Sequence, residues 1–339
     1  YKRQIMAACS EVALPPGGQL AISGVAAVPM HLKGLLDKLG LEADFLHIGD
    51  YKGAAEPLTL DAPSKQSRET TAMILDQAFA SLVGAIAEGR ELTPDAVRSL
   101  VDQAIFTSEA ARTAKLVDSV VSFETFRGDG PWRLATLKAD SGNPTRKLLR
   151  MLGMMPTPRP SGARIALVYA VGNVVDGEGG IGGARSEISS RTLIAALSAL
   201  AADDGVKAIV LRVSSPGGSA LASELIWAQL EQVKKRKPVV VSMGPVAASG
   251  GYYISAGASR IFAQSNTLTG SIGVVGGKLA TAGGLRKLGI KTFPTGRGKN
   301  ALVFASPEPW TASERDLVRA SMQAVYDQFA ARVRAGRGE

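Results

Sequence analysis

The chain is poor in residues that would narrow its function at once: one cysteine (Cys9), two histidines (His31 and His47) and 5% aromatics among 339 residues. A lone cysteine closes no intrachain disulfide, so a cystine-stapled scaffold is excluded and cysteine usage says nothing about compartment. Without CxxC or HExxH spacing a zinc site has no ordinary ligand set, and neither a metal nor a cofactor is expected. The few aromatics leave little on which nucleic-acid bases could stack.

Charge is also sparse at 20%, yet 39 Lys and Arg exceed 30 Asp and Glu for a net +9. The excess concentrates from Lys138 to Arg164, where Lys138, Arg146, Lys147, Arg150, Arg159 and Arg164 face only Asp140. Basic residues without interleaved aromatics argue against a nucleic-acid partner and fit a solvated linker or an anionic membrane surface. The opening Tyr1-Lys2-Arg3-Gln4 leads into no cleavage pattern. The longest uncharged window, Pro238 to Ser259, has the length of a membrane span, but its Gly, Ser and Pro content reads as strand, turn and small-residue helix. No segment is therefore read as crossing a bilayer.

What is present is an internal repeat. Leu36-Asp37-Lys38-Leu39-Gly40-Leu41 resembles Leu285-Arg286-Lys287-Leu288-Gly289-Ile290, and the same 249-residue shift superposes Ser10 on Ser259, Gly24 on Gly273 and Gly49 on Gly298. Residues 1–91 match 250–339, whereas 163–249 has no earlier counterpart and 92–121 no later one. These ragged ends are expected of a window cut from a longer protein. The implied organisation is a first half over 1–137, incomplete at its start, a linker over 138–162, and a second half over 163–339, incomplete at its end. Within the linker the apolar Leu148 to Met155 reads as a docking segment.

In the second half the apolar run Ile165 to Val171 suits a buried strand, Ser189 to Ala202 has helical spacing, and Ala208 to Val213 is a second strand. A helix from Ser219 to about Lys237 precedes the strand Val239 to Met243, which a Gly244-Pro245 turn closes. Strands alternating with helices predict parallel α/β layers. In the first half Ser64 to Ala87 and Thr93 to Leu100 read as helices, the latter opened by Thr93-Pro94.

Gly177 to Gly182 satisfies the letters of GxGxxG, but more small residues and Arg185 follow where a dinucleotide site needs a helix, so it reads as a loop near a substrate groove. Val246-Ala247-Ala248-Ser249-Gly250-Gly251-Tyr252-Tyr253 is sharper. A serine there sits at the start of a helix, glycines let a substrate backbone approach, and the next N–H is free for an oxyanion. Spacing alone is equally compatible with a small residue that lets the helix pack on a sheet. A serine nucleophile also needs a base. His31 and His47 lack a distinctive context, and Lys52 in Gly49-Asp50-Tyr51-Lys52-Gly53 is the alternative if burial keeps its amine neutral. The bland reading of Lys52 is a surface residue paired with Asp50 or Glu56.

Together, Ser215-Pro216-Gly217-Gly218-Ser219, the Ser249 motif, Thr267-Leu268-Thr269-Gly270-Ser271-Ile272-Gly273, and Gly49-Asp50-Tyr51-Lys52 with Glu56-Pro57 resemble the long, duplicated signal peptide peptidase A (protease IV) family of serine peptidases. The resemblance implies a ClpP/crotonase-like α/β fold of repeated ββα units in two related halves. It implies a Ser/Lys dyad of Ser249 and Lys52, a Ser271 that orients the lysine, and an oxyanion hole from Gly250 and the Gly217-Gly218 turn. It further implies a membrane-associated homo-oligomer on the extracytoplasmic, periplasmic side that degrades cleaved signal peptides and other apolar peptides. Two rival readings are a crotonase-like acyl-thioester enzyme, which needs carboxylates beside the hole, and a non-catalytic peptide-binding scaffold in which Ser249 only packs.

Overall fold

Alternating burial along the strands and capped amphipathic helices build the architecture, seen in a computed structural model that describes residues 8–122, 125–126, 162–178, 187–295 and 300–338. The apolar Leu148 to Met155, nearly all of the expected linker and most of the Gly177 to Gly182 loop lie outside the described residues. The strands are β1 (Ala13–Leu14), β2 (Gln19–Ala21), β3 (Glu42–Ile48), β4 (Ile105–Thr107), β5 (Ser119–Val120), β6 (Arg164–Val171), β7 (Asn173–Val175), β8 (Glu187–Ser189), β9 (Val206–Ser215), β10 (Val239–Ala248), β11 (Arg260–Phe262), β12 (Leu268–Gly270) and β13 (Val274–Ala280). The helices are α1 (Lys33–Leu39), α2 (Glu56–Thr59), α3 (Lys65–Gly89), α4 (Pro94–Gln103), α5 (Ser108–Thr113), α6 (Ser190–Ala202), α7 (Ala220–Lys234), α8 (Gly250–Ala256), α9 (Ala282–Lys287) and α10 (Ala312–Arg337).

Two compact units cut across the sequence halves. One comprises Tyr1–Ala26 with Asp76–Gly162, and the other joins Ala27–Leu75 to Ala163–Glu339. The segment holding Lys52 therefore folds with the half holding Ser249.

The first unit pairs β1 with β5 in parallel and β2 with β4 antiparallel. Its core is built from Leu82, Val83 and Ile86 of α3, Val97 and Val101 of α4, Phe106 and Val117. Thr93 caps α4 by accepting the Ala96 N–H, and Pro94 follows at the first helical position, where a missing N–H is harmless. By length and composition α3 is apolar enough to cross a membrane, with a window of mean hydropathy 1.4. Glu69 and Asp76 interrupt it, so it holds no long uncharged window.

In the second unit β6, β9 and β10 are parallel neighbours, and β11 and β12 pair in turn along the far edge of β10. One face of this sheet is sealed by Leu193 and Leu197 of α6 and Ile226, Leu230 and Val233 of α7 against Ile209, Leu211, Val213, Val239 and Val241. Ser189 and Ser219 cap α6 and α7 by accepting the N–H groups of Thr192 and Ala222. The expected buried strand over 165–171 is corrected here. Among the described residues β6 bonds only β9, so it forms the sheet edge there, and Ile165, Leu167 and Tyr169 on its open face are exposed. β10 also departs from expectation, for it runs through Gly244-Pro245 to Ala248 and absorbs them as a register shift between Met243 and Ala247 instead of a turn. A separate antiparallel pair joins β3 to β13, from Ile48 opposite Val274 to Glu42 opposite Ala280.

Candidate active site

Parallel strands deliver their C-terminal ends to one edge of the sheet, where α/β folds place ligand sites. β10 ends there at Ala248, and Ser249 follows with φ 51° and ψ −119° as the residue preceding α8. A non-glycine residue in such a conformation costs about 1–3 kcal/mol and persists only where its surroundings hold it. Here the Ser249 N–H donates to Gly270 O at 2.9 Å, and the Ser249 carbonyl accepts from Tyr253 N at 2.8 Å. The neighbouring glycines are sterically required. A Cβ on Gly250 would sit 2.6 Å from Ser223 Oγ, and one on Gly251 would sit 2.7 Å from Ser215 O.

Lys52 reaches the same point from β3. Its N–H closes a turn onto Gly49 O at 3.0 Å, and the side chain runs over Gly273, where a Cβ would lie 3.3 Å from Lys52 Cδ. Nζ then lies 3.0 Å from Ser249 Oγ, 2.9 Å from Ser271 Oγ and 3.0 Å from Ser271 O. Lys52 is 8% exposed, and burial pushes its ammonium below the ordinary lysine range. No carboxylate opposes that shift: Glu56 turns its carboxylate onto the Ser64 N–H at 3.0 Å and hydroxyl at 2.7 Å. Pairing of Lys52 with Glu56 as a surface lysine is thus overturned.

Three oxygens around one nitrogen can take the three N–H donors of an ammonium, and the same arrangement also accommodates the neutral amine. An NH2 group has two hydrogens and one lone pair, and Ser271 O, a carbonyl, can only accept. With the second N–H given to Ser271 Oγ, the lone pair is left facing the hydroxyl of Ser249. Ser271 itself has φ 52°, held beside the glycine-rich link between β12 and β13.

The Gly217-Gly218 turn closes over the serine. A Cβ on Gly217, with φ +116°, would fall 2.7 Å from Ser249 Cβ, and Gly218 with φ +147° lies against Val174, whose N–H bonds Gly217 O and whose carbonyl accepts from Ser219 N. The Gly217 N–H is itself taken by Ser215 Oγ at 3.1 Å. Among the described residues the N–H groups of Gly218 and Gly250 have no acceptor, and a Cβ on Gly250 would lie 3.3 Å from Gly218 N. Of the three expected contributors, Gly218 and Gly250 keep their N–H groups without an acceptor among the described residues, and Gly217 gives its own to Ser215. Ser215, the acceptor that holds this N–H, carries no signal of its own within the Ser215–Ser219 motif.

Neither histidine bonds Ser249 Oγ among the described residues. His31 Nδ1 lies 2.7 Å from Leu60 O, and His47 Nδ1 3.3 Å from Gly49 O. His47 does line a cavity of about 360 Å³ together with Lys52, Phe45, Asp50 and Leu60. Among the described residues no carboxylate bonds Ser249, Gly218 or Gly250, while Asp50 and Glu56 line the same cavity as Lys52.

Comparison with known proteins bears on this geometry. The family model for peptidase family S49 matches residues 4–128 and 231–338, two segments that overlap those related by the 249-residue shift, and the Clp protease model matches 180–269. The chain is 30% identical over 326 residues to the chloroplastic serine protease SPPA of Arabidopsis thaliana, covering 95% of this chain and 48% of that protein. It is 34% identical over 295 residues to Protease 4 of Salmonella typhi, covering 83% and 46%, and 31% identical over 346 residues to Protease 4 of Haemophilus influenzae, covering 96% and 54%. The chain thus spans about half the length of these relatives. With the family model matched over well more than half of its residues, the chain belongs to peptidase family S49.

Proposed function

We propose that this chain carries the centre of a serine endopeptidase in which Ser249 is the nucleophile and Lys52 the general base. The observation that carries the reading is the buried Lys52 Nζ, 3.0 Å from Ser249 Oγ and placed by both oxygens of Ser271. Neutral Lys52 takes the Ser249 proton as Oγ attacks the peptide carbonyl carbon, and the carbonyl oxygen becomes an oxyanion facing the N–H groups of Gly218 and Gly250. As the C–N bond breaks, the Lys52 ammonium returns that proton to the leaving amine. Water then attacks the acyl-enzyme, gives a proton to Lys52, and Ser249 recovers it as the acid leaves. Ser271 acts as the positioning residue that keeps the lone pair of Lys52 on Ser249.

The resemblance to the signal peptide peptidase family supports extended apolar peptides, cleaved signal peptides among them, as substrates. It also supports a homo-oligomer on the extracytoplasmic side of a membrane, built from two related halves over 1–137 and 163–339. Incubation with a fluorophosphonate probe tests the centre: Ser249 becomes labelled and a quenched apolar peptide is cleaved, while Ser249→Ala does neither. Labelling elsewhere, or cleavage that survives Ser249→Ala, removes the assignment.

A further inference from the structure

The lysine and the serine stand on different sheets. Lys52 follows β3, which pairs with β13, whereas Ser249 follows β10 in the five-stranded sheet. The short Ser271–Gly273 segment joins the two, and α10 packs on β3 and β13 of the lysine pair and on α8, the helix that follows Ser249.

At its start α10 is tied to the lysine strand. The Trp310 N–H donates to Asp44 Oδ2 at 2.7 Å, and Arg315 lies 2.9 Å from Oδ1 of the same carboxylate, which is fully buried in β3. Leu46, two residues on, packs with Trp310, Val318 and Met322, and a capping box of Thr311 and Glu314 fixes the first turn. At its end α10 is tied to the serine helix. Phe329 stacks on Tyr253 with centroids 4.5 Å apart, and Gly336 packs on the Ala256 carbonyl, where a Cβ has no room. Arg332 grips Glu224 through Nη2 at 2.6 Å and Nε at 3.1 Å, and the Tyr253 hydroxyl donates to the same carboxylate at 2.7 Å. Burial works to raise the carboxyl of Glu224, but these hydrogen bonds outweigh it and hold it below the usual range. The two arginines are 17 residues apart, about 25 Å along the helix axis.

We propose that α10 is a positioning strut that sets the spacing between Lys52 Nζ and Ser249 Oγ, anchored at the lysine strand by Asp44–Arg315 and at its other end by Arg332 on Glu224, the α7 carboxylate that also holds Tyr253 of the serine helix. This rests on the dyad reading above. A rigid element of one helix transmits a displacement at either anchor to the whole spacing, so release of one end should suffice.

The test is a cycle of Arg315→Met, Arg332→Met and the double variant, with Arg315→Lys and Arg332→Lys as conservative partners. Each Met variant should lose about tenfold or more in kcat and in the rate of fluorophosphonate labelling, with KM within about twofold and the fold intact by circular dichroism. The double variant should lose little more kcat than the worse single one, while the shifts in Tm add. The Lys variants should recover most of the rate, and Arg315→Gln or Arg332→Gln takes the place of a Met variant at the same position that does not fold. Unchanged kcat, or losses that multiply in the double variant, overturn the strut. Amide hydrogen exchange decides independently of activity: Arg315→Met should quicken exchange in α8, and Arg332→Met should quicken it in the 49–52 turn. Exchange that quickens only at the substituted end overturns the strut even if the protein is active, whereas a wild-type chain that never labels at Ser249 overturns the dyad and leaves exchange to decide the strut.

Discussion

The serine turn and the lysine turn are built in opposite ways. Ser249 sits in a local device: a strand end, a strained residue, then two glycines that admit no side chain because Ser223 and Ser215 lie against them. Lys52 sits in an ordinary turn closed by one hydrogen bond, and its special surroundings come from Gly273 and Ser271, more than two hundred residues away. One site is written in its own neighbours; the other is assembled by the fold. The practical difference is that small substitutions around Ser249 act by steric collision, while those around Lys52 act by changing what surrounds an amine.

The largest effects should come from the two reacting groups themselves. Ser249→Ala is expected to reduce hydrolysis by roughly 10³-fold or more without altering the fold, since one hydroxyl is lost from a small-residue setting. Lys52→Arg should be nearly as damaging as Lys52→Ala, because a guanidinium stays protonated and accepts no proton. The pH profile tells base from structural lysine. The neutral amine is the active form, so kcat/KM should rise with pH and level off above the Lys52 pKa. Burial lowers that pKa, so the plateau should arrive below the ordinary lysine value of about 10.4. A profile that levels off at a histidine value and survives Lys52→Ala would reverse the comparison, with the base supplied elsewhere.

The same contrast explains what could be read from the sequence. Small residues at Ala247, Ala248, Gly250 and Gly251 announce a turn that tolerates nothing larger, and helix caps such as Thr93 and Ser219 are local hydrogen bonds with local signals. The extension of β10 through Pro245 was not legible, because a proline there normally ends a strand and only the register shift beside β9 accommodates it. Nor was the exposure of β6, whose apolar run looks the same at an edge as in a sheet interior. For Lys52, residue type and flanking glycine suggested a base, but its burial depends on Gly273 and could not be seen in its own segment. The anchors Asp44, Glu224, Arg315 and Arg332 carry no motif, since ion pairs between distant elements leave none.

Intermediate effects probe the walls of each turn. Gly217→Ala places a Cβ 2.7 Å from Ser249 Cβ on a backbone with φ +116°, so the serine or the glycine turn must shift. A loss of about 10²-fold in kcat is expected, comparable to losing an oxyanion donor. Ser271→Ala removes one of the hydrogen-bond acceptors around Nζ but leaves the carbonyl of the same residue in place. It should cost less, about tenfold, with the acid limb of the pH profile displaced because a hydroxyl that solvated the amine is gone. Equal losses for the two variants would show that the lysine turn is as finely set as the serine turn.

The smallest expected effect belongs to the histidines. His47 shares the cavity beside Lys52, so proximity alone would make it a rival base or a proton relay. Its contact is a 3.3 Å approach of Nδ1 to Gly49 O, however, and the residue is exposed on β3. His31 is likewise occupied with the Leu60 carbonyl. His47→Ala and His31→Ala should therefore leave kcat within about twofold and the acid limb of the profile unmoved, because neither ring touches the proton that travels between Ser249 and Lys52. If His47→Ala instead lowered kcat by more than about tenfold and shifted that limb, the amine of Lys52 would be acting through the imidazole, and the base would belong to the pair.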